Sequence, residues 1–310
     1  MSALICGSMA YDTIMVFHDK FKNHILPEKI HLLSVSFLVP SMRREFGGCA
    51  GNIAYNLKLL GEEPLIMATV GHDFEPYARW LDCYKISRKH IRVLDNQFTG
   101  QAYITTDEDD NQITAFHPGA MNFSHENIVP SNEKICIGIV APEGKEGMQQ
   151  HARQFAERGV PFIFDPGQGM PMFSGAELLN LMELATWLTL NDYEAELMQE
   201  RTGLNLQQLA QQVEALIVTR GGEGSTIYTQ GKELHIPSAP VSNLADPTGC
   251  GDAYRAGLLY GLMNKLDWEI TGRIASLMGA IKIESQGTQN HTFTLNSFKE
   301  RYQDVFGSTF

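Results

Sequence analysis

Residues 246–252 read Asp-Pro-Thr-Gly-Cys-Gly-Asp and run straight into a stretch, 253–263, with helical character. Small residues opening a helix leave several backbone N–H groups bare. Together with the positive end of the helix dipole these form an anion site. Gly249, Cys250 and Gly251 would supply the amides. Asp252 would stand beside them as a carboxylate able to accept a hydroxyl proton while a phosphoryl group transfers. The same residues also make an ordinary Gly-rich turn, with Asp252 as a helix-start charge.

Three further strings carry candidate chemistry. Gly47-Gly48-Cys49-Ala50-Gly51-Asn52 pairs glycines, which let a ligand approach the backbone, with an amide that both donates and accepts, a combination suited to a sugar diol. It is equally a plain helix start. Asn191-Asp192-Tyr193-Glu194 sets one carboxylate where a water-shelled Mg²⁺ could use it, and it also has the spacing of a capping box. Residues 218–224, Val-Thr-Arg-Gly-Gly-Glu-Gly, form a Gly-rich loop after an apolar run, a weak signal by itself.

Short apolar runs bounded by turn residues position these strings: 3–6, 65–70, 135–140, 161–164, 187–190 and 216–219. Such runs are strands buried on both faces. Helix-period stretches lie between them, at 52–60, 147–158 and 194–199, closed by Gly61, Gly159 and Gly203. The alternation predicts βαβ units and a mostly parallel sheet. Residues 13–46 and 98–117 break the rhythm; the second alternates around a polar turn at 107–111 and predicts a small antiparallel layer beside the main sheet. The acidic run 108–110 reads as a solvated hairpin tip.

Composition removes several classes. A formal charge of −12 with 24 Lys and Arg argues against a nucleic-acid binder. Five cysteines without a C-x-x-C pair suggest neither a disulfide framework nor a zinc site and fit reduced thiols in a cytoplasm. No secretory leader and no apolar run of membrane length is present, so a soluble, unprocessed protein is expected. Gly7 is followed by Ser-Met-Ala rather than a G-x-G-x-x-G pattern, which sets a dinucleotide-dependent dehydrogenase aside.

The 246–252 string resembles the C-terminal signature of the ribokinase-like, or phosphofructokinase-B type, kinases, where alanine commonly stands at the Cys250 position. The remaining strings follow in the family's order along essentially the whole chain. The resemblance implies a three-layer αβα sandwich around a mostly parallel sheet, with a small antiparallel β lid, in one kinase domain over 1–310. It implies Asp252 as catalytic base beside Gly249, Cys250 and Gly251, and Asp12, Gly48 and Asn52 on substrate hydroxyls. Asn191, Thr219, Gly221 and Gly224 would serve ATP, and Glu194 would organise Mg²⁺ through water. Residues 279–289 would wall the adenine pocket and, in many members, build a monovalent-cation loop. K⁺ is thus a candidate accessory ion with no ligands assigned.

Residues 110–114, 164–168 and 246–257 look closer to archaeal-type nucleoside kinases of broad specificity than to typical ribokinases. The implied reaction moves the γ-phosphoryl group of ATP to a ribonucleoside 5′-hydroxyl, with adenosine placed first and inosine, guanosine or cytidine beside it. A sugar kinase for ribose or fructose is the alternative, since Asp12, Gly48 and Asn52 would hold sugar hydroxyls equally well; a non-catalytic nucleoside-binding regulator is another, opposed by the intact Asp252 and its glycines. Phe98, Tyr103, Phe116 and Met121 are candidates to stack on a base, with His117 and Asn122 for its edge. Each serves equally as lid core or turn. An exposed lid edge predicts a homodimer formed through the lids.

Overall fold

The computed structural model describes residues 2–25, 34–109 and 111–310; the part of the first lid segment at 26–33, and Asp110 of the acidic run, lie outside the described residues. A nine-stranded sheet has the order β13-β12-β11-β10-β9-β8-β1-β4-β5. Its strands are β1 (Ser2–Cys6), β4 (Pro64–Gly71), β5 (Ser87–Leu94), β8 (Ile135–Val140), β9 (Phe162–Phe164), β10 (Trp187–Asn191), β11 (Ala215–Thr219), β12 (Ser225–Thr229) and β13 (Lys232–Ile236). From β11 through β5 every neighbouring pair is parallel, and β12 and β13 close one edge as an antiparallel hairpin.

Strand residues alternate between two apolar layers because successive side chains leave a strand on opposite faces. Ala3, Ile5, Ile163, Ala215 and Ile217 join the layer under α1 (Cys49–Leu59), α2 (Glu75–Cys83), α7 (Cys250–Met263), α8 (Trp268–Ile283) and α9 (Leu295–Phe306). Leu4, Cys6, Phe162, Phe164, Leu216 and Val218 join the other, under α3 (Lys145–Glu157), α4 (Gly175–Leu184), α5 (Asp192–Thr202) and α6 (Leu206–Ala210). The three layers expected from the sequence are therefore present; the helices expected at 52–60, 147–158, 194–199 and 253–263 lie near or beyond those bounds as α1, α3, α5 and α7, and the other five carried no such expectation.

The small layer is a four-stranded sheet, β3-β2-β6-β7, built from β2 (Ala10–Val16), β3 (Ser41–Gly47), β6 (Gly100–Thr106) and β7 (Gln112–His117). Its outer pairs β2–β3 and β6–β7 are antiparallel, while its central pair β2–β6 runs parallel. Alternation within 98–117 reveals the β6–β7 hairpin but carries no information about which strand lies beside it. The acidic turn is not simply solvated. Asp107 is buried and accepts the backbone N–H groups of Phe21, Asp109 and Asn111, and Lys20 and Lys22 pair with Asp109. The hairpin tip is thereby tied to the turn after β2.

Sheet order places β4 and β5 on one side of β1 and β8 onward on the other, so the crevice of an open α/β sheet falls at the carboxyl end of β1. Only residues 7–9 separate β1 from the small sheet, and Gly48 alone separates the small sheet from α1.

Candidate active site

Two helix starts meet at this crevice. At α1, Ser8 accepts the first amides: Cys49 N–H reaches Ser8 Oγ at 3.1 Å and Ala50 N–H reaches the Ser8 carbonyl at 2.9 Å. That close approach requires glycine at position 48, whose φ is +86° and where a Cβ would lie 2.6 Å from Met9 Cα. At α7, Gly249 sits in the left-handed region at φ +81° and no side chain caps the helix. The expected Cys250 amide is taken by the Pro247 carbonyl at 3.2 Å, and the amides of Gly251 and Asp252 are thus left for an anion.

Asn52, one turn into α1, joins the two. Its Nδ2 donates to Asp252 Oδ2 at 2.7 Å, and its Oδ1 accepts from Gln289 Nε2 at 2.9 Å. Gln289 is itself fixed, donating to the Tyr77 hydroxyl at 2.7 Å and accepting from Trp80 Nε1 at 2.9 Å. Gln289 therefore decides which way the Asn52 amide faces. One Nδ2–H and one lone pair of Asn52 remain for another molecule.

Burial pushes the Asp252 carboxyl up to about 6, against the Asn52 hydrogen bond and the positive charge of Arg255, which both pull it down. Asp12, opposite Glu45 in the β2–β3 ladder, is also pushed up to about 6, by burial and by the nearby charges of Glu45 and Asp246. Gly47 makes room for it: a Cβ there would sit 2.4 Å from Asp12 Oδ2. The Tyr77 hydroxyl, which donates to the Gly47 carbonyl at 3.0 Å, lies in the field of both Asp12 and Asp252. Asp12, Gly48, Asn52 and the residues 249–252 thus gather in one place.

The strings at 191 and 219 arrive side by side, because Asn191 and Thr219 are register partners at the carboxyl ends of β10 and β11. Asn191 and Glu194 do form a capping box: Asn191 Oδ1 accepts the Glu194 N–H at 2.7 Å and Glu194 Oε2 accepts the Asn191 N–H at 2.8 Å. The loop beyond Thr219 turns through Gly221 at φ +51°, with open space around it, and Gly224 at φ +87°, where a Cβ would meet the Ile236 carbonyl at 2.2 Å.

Arg255 connects this second cluster to the first, a link that a lone Arg inside a helix does not announce in sequence. From α7 it donates bidentately to Asp165 at 2.9 and 3.0 Å and lies 4.0 Å from Glu194 Oε2. Glu194 is pushed up by burial and by Asp165, with Arg255 opposing. Among the described residues no group of three or more His, Cys, Asp or Glu side chains could cage a metal. Glu194 Oε1 is left as the oxygen able to face a hydrated Mg²⁺, which keeps most of its waters.

An amide-lined anion site, a raised carboxylate beside it and a Gly-rich loop at the neighbouring strand ends are the parts of a phosphotransferase that acts on a hydroxyl group. Residues 10–294 match the pfkB family of carbohydrate kinases, and the chain belongs to that family. It is 32% identical over 278 residues to a nucleoside kinase of Methanocaldococcus jannaschii, covering 89% of this chain and 91% of the relative. The structure of Burkholderia thailandensis nucleoside kinase in complex with inosine is 50% identical, with a TM-score of 0.91 and 99% of each chain covered. The same enzyme in complex with ADP-inosine gives 51% and 0.88, covering 99% of this chain and 97% of that one.

Proposed function

We propose that this chain transfers the γ-phosphoryl group of ATP to the 5′-hydroxyl of a purine ribonucleoside, and that inosine precedes adenosine as acceptor. The observation that carries the reading is the 2.7 Å bond from Asn52 to Asp252 where the starts of α1 and α7 converge. A base that must take a hydroxyl proton is held there beside free amides. The order of acceptors rests on likeness to the 50% identical Burkholderia enzyme that holds inosine.

In this mechanism Asp12 and Asn52 receive the ribose hydroxyls and aim the 5′-oxygen at the phosphoryl group. Asp252, ionised above about pH 6, takes the hydroxyl proton as the P–O bond forms and ADP leaves. The amides of Gly251 and Asp252 receive the charge that develops on the transferring group. Asn191, Thr219, Gly221 and Gly224 serve the nucleotide, and Glu194 orients the water shell of Mg²⁺, an ion that supplies charge neutralisation on the phosphates.

Residues 1–310 act as one kinase domain with the small sheet as its lid. Phe98 and Phe116 are 51 and 52% exposed, apolar surface of the kind a purine ring covers on closure. Phe116 shares the face of the small sheet that carries Asp12, whereas Tyr103, a register partner of Thr13 and Ala115, stands on the opposite face and leaves the set of stacking candidates. The exposed edge strand β7 is the element through which two lids would associate as a dimer.

The deciding experiment measures ADP release with ATP and Mg²⁺ across inosine, adenosine, guanosine, cytidine, uridine, ribose and fructose. Higher kcat/KM with nucleosides, inosine foremost, supports the proposal. Turnover of free sugars alone would replace it with the sugar-kinase reading.

A further inference from the structure

Lys282, the penultimate residue of α8, is fully buried. Its Nζ donates to the Asp246 carbonyl at 2.6 Å and to the Ser285 carbonyl at 3.3 Å. Both acceptors are main-chain oxygens, and burial disfavours the charged form. An ammonium taken out of water and given to carbonyls rather than to a carboxylate is an expensive way to fill a core. It favours a role in what the two carbonyls hold.

They hold the back of the anion site. Asp246 opens the loop that ends at the Gly249 start of α7, and its carboxylate accepts the Thr248 N–H at 2.9 Å and the Gly287 N–H at 3.0 Å. The segment reached through Gly287 carries Thr288, against which Gly249 packs, and Gln289, which orients Asn52. Lys282 therefore fastens the loop bearing the amides to the loop that fixes the base's partner. Its position in the last turn of α8 adds the attraction of the negative helix end.

Carbonyl oxygens from two loops closing on one unit of positive charge are also the donor set of a site for a dehydrated alkali ion. Here those carbonyls are already engaged by a charge tethered to the chain, so a K⁺ ion does not fit between them. We propose that Lys282 is a positioning residue that acts as a built-in monovalent cation, so that nucleotide binding and phosphoryl transfer run at full strength without K⁺.

Two measurements test this, and the first needs no variant. ADP affinity by calorimetry, and kcat/KM with the acceptor that turns over, are compared with tetramethylammonium or K⁺ as the sole monovalent cation. The wild-type values should agree within about twofold. Activation by K⁺ of about tenfold or more in both would overturn the proposal. Second, Lys282→Ala should weaken ADP binding and lower kcat by about tenfold or more in alkali-free buffer. Ethylammonium, NH₄⁺ or K⁺ should restore both by occupying the vacated cage, and a folded Lys282→Ala protein with unchanged affinity, or with a loss indifferent to every cation, would sink the idea. If Lys282→Ala does not fold, the wild-type titration still decides. Because ADP binding needs no acceptor, failure of the nucleoside reading leaves this test intact.

Discussion

Asn52 donates to Asp252 across 2.7 Å although the two residues are 200 positions apart in the chain. One belongs to the helix that leaves the small sheet and the other to the helix that opens the anion site. The bond partly offsets the burial that raises the Asp252 carboxyl, and it holds the acceptor oxygen of the base in a single direction.

Asp252→Asn keeps that shape and removes the basicity. It is expected to lower kcat by about 10²–10⁴-fold, the contribution of a positioned base, while ADP affinity by calorimetry stays close to wild type. Near-normal turnover would remove Asp252 from the mechanism.

The same variant should be more stable. Asp252 has an ordinary value of 3.8 and a folded value of about 6, so the folded state binds its proton more tightly than the unfolded chain. Its contribution to stability is full below about pH 4 and is lost as pH rises through about 6. At pH 8 asparagine removes that loss. Calorimetry should then find Tm higher by about 1–4 °C, with the gain vanishing near pH 4.

Activity has the opposite sign, because base and substrate holder both act ionised. Asp12 and Asp252 each titrate near about 6. On the acid side log kcat/KM should therefore climb with a slope approaching about two and level off above neutrality. In Asp12→Asn the remaining limb should have a slope of about one, at a raised KM.

Arg255 and Asp165 are each almost fully buried. Arg255→Met leaves an unpaired carboxylate and should destabilise the fold by about 3–5 kcal/mol in urea titrations. Arg255→Met with Asp165→Asn should recover much of this. A double variant no more stable than the single would mean that the pair matters through Glu194 instead.

Gly48→Ala should cost about 1–3 kcal/mol from backbone strain alone, and the contact with Met9 Cα leaves no room for relaxation. Chemical denaturation reads the loss. Gly221→Ala, also at positive φ but in open space, should have the smaller effect on stability.

Closure should appear in hydrogen exchange: inosine is expected to slow amides in β2, β6 and β7, and unchanged exchange would end the lid reading. Sedimentation equilibrium at micromolar protein tests the dimer, and Phe116→Asp on the exposed edge should shift it toward monomer.

The parallel core was legible because buried strands such as 3–6 and 216–219 are unbroken apolar runs. Ser87–Leu94 was not, because this edge strand is mostly exposed and carries Arg, Lys and His, so it reads as surface loop. β13 was hidden for the same reason, being mostly exposed with a Lys-Glu-Leu-His-Ile sequence that resembles any polar segment, whereas β12 is buried throughout but its Ser-Thr-Ile-Tyr-Thr is too rich in hydroxyl side chains to read as an apolar run. The strings at 47–52 and 246–252 do meet at one crevice, and since Gly and Asp at a helix start also serve ordinary turns and caps, it was their combination that pointed there. Gln289 and Lys282 gave no such signal, because a side chain that works through another residue follows no local spacing. At Asn191 and Glu194 the two sequence readings proved compatible, with the capping box present and one carboxylate oxygen left over.

Asp12 rides on the small sheet, Asp252 on the first turn of α7 in the layer packed against the large one, and only residues 7–9 join β1 to β2. In the proposed mechanism the wall of the cleft that carries Asp12 and the wall that carries Asp252 are thus separable units of inheritance, although Asn52 on α1 serves both. Drift or recombination confined to the four-stranded sheet would exchange one guest for another while the reaction passed unaltered from ancestor to descendant.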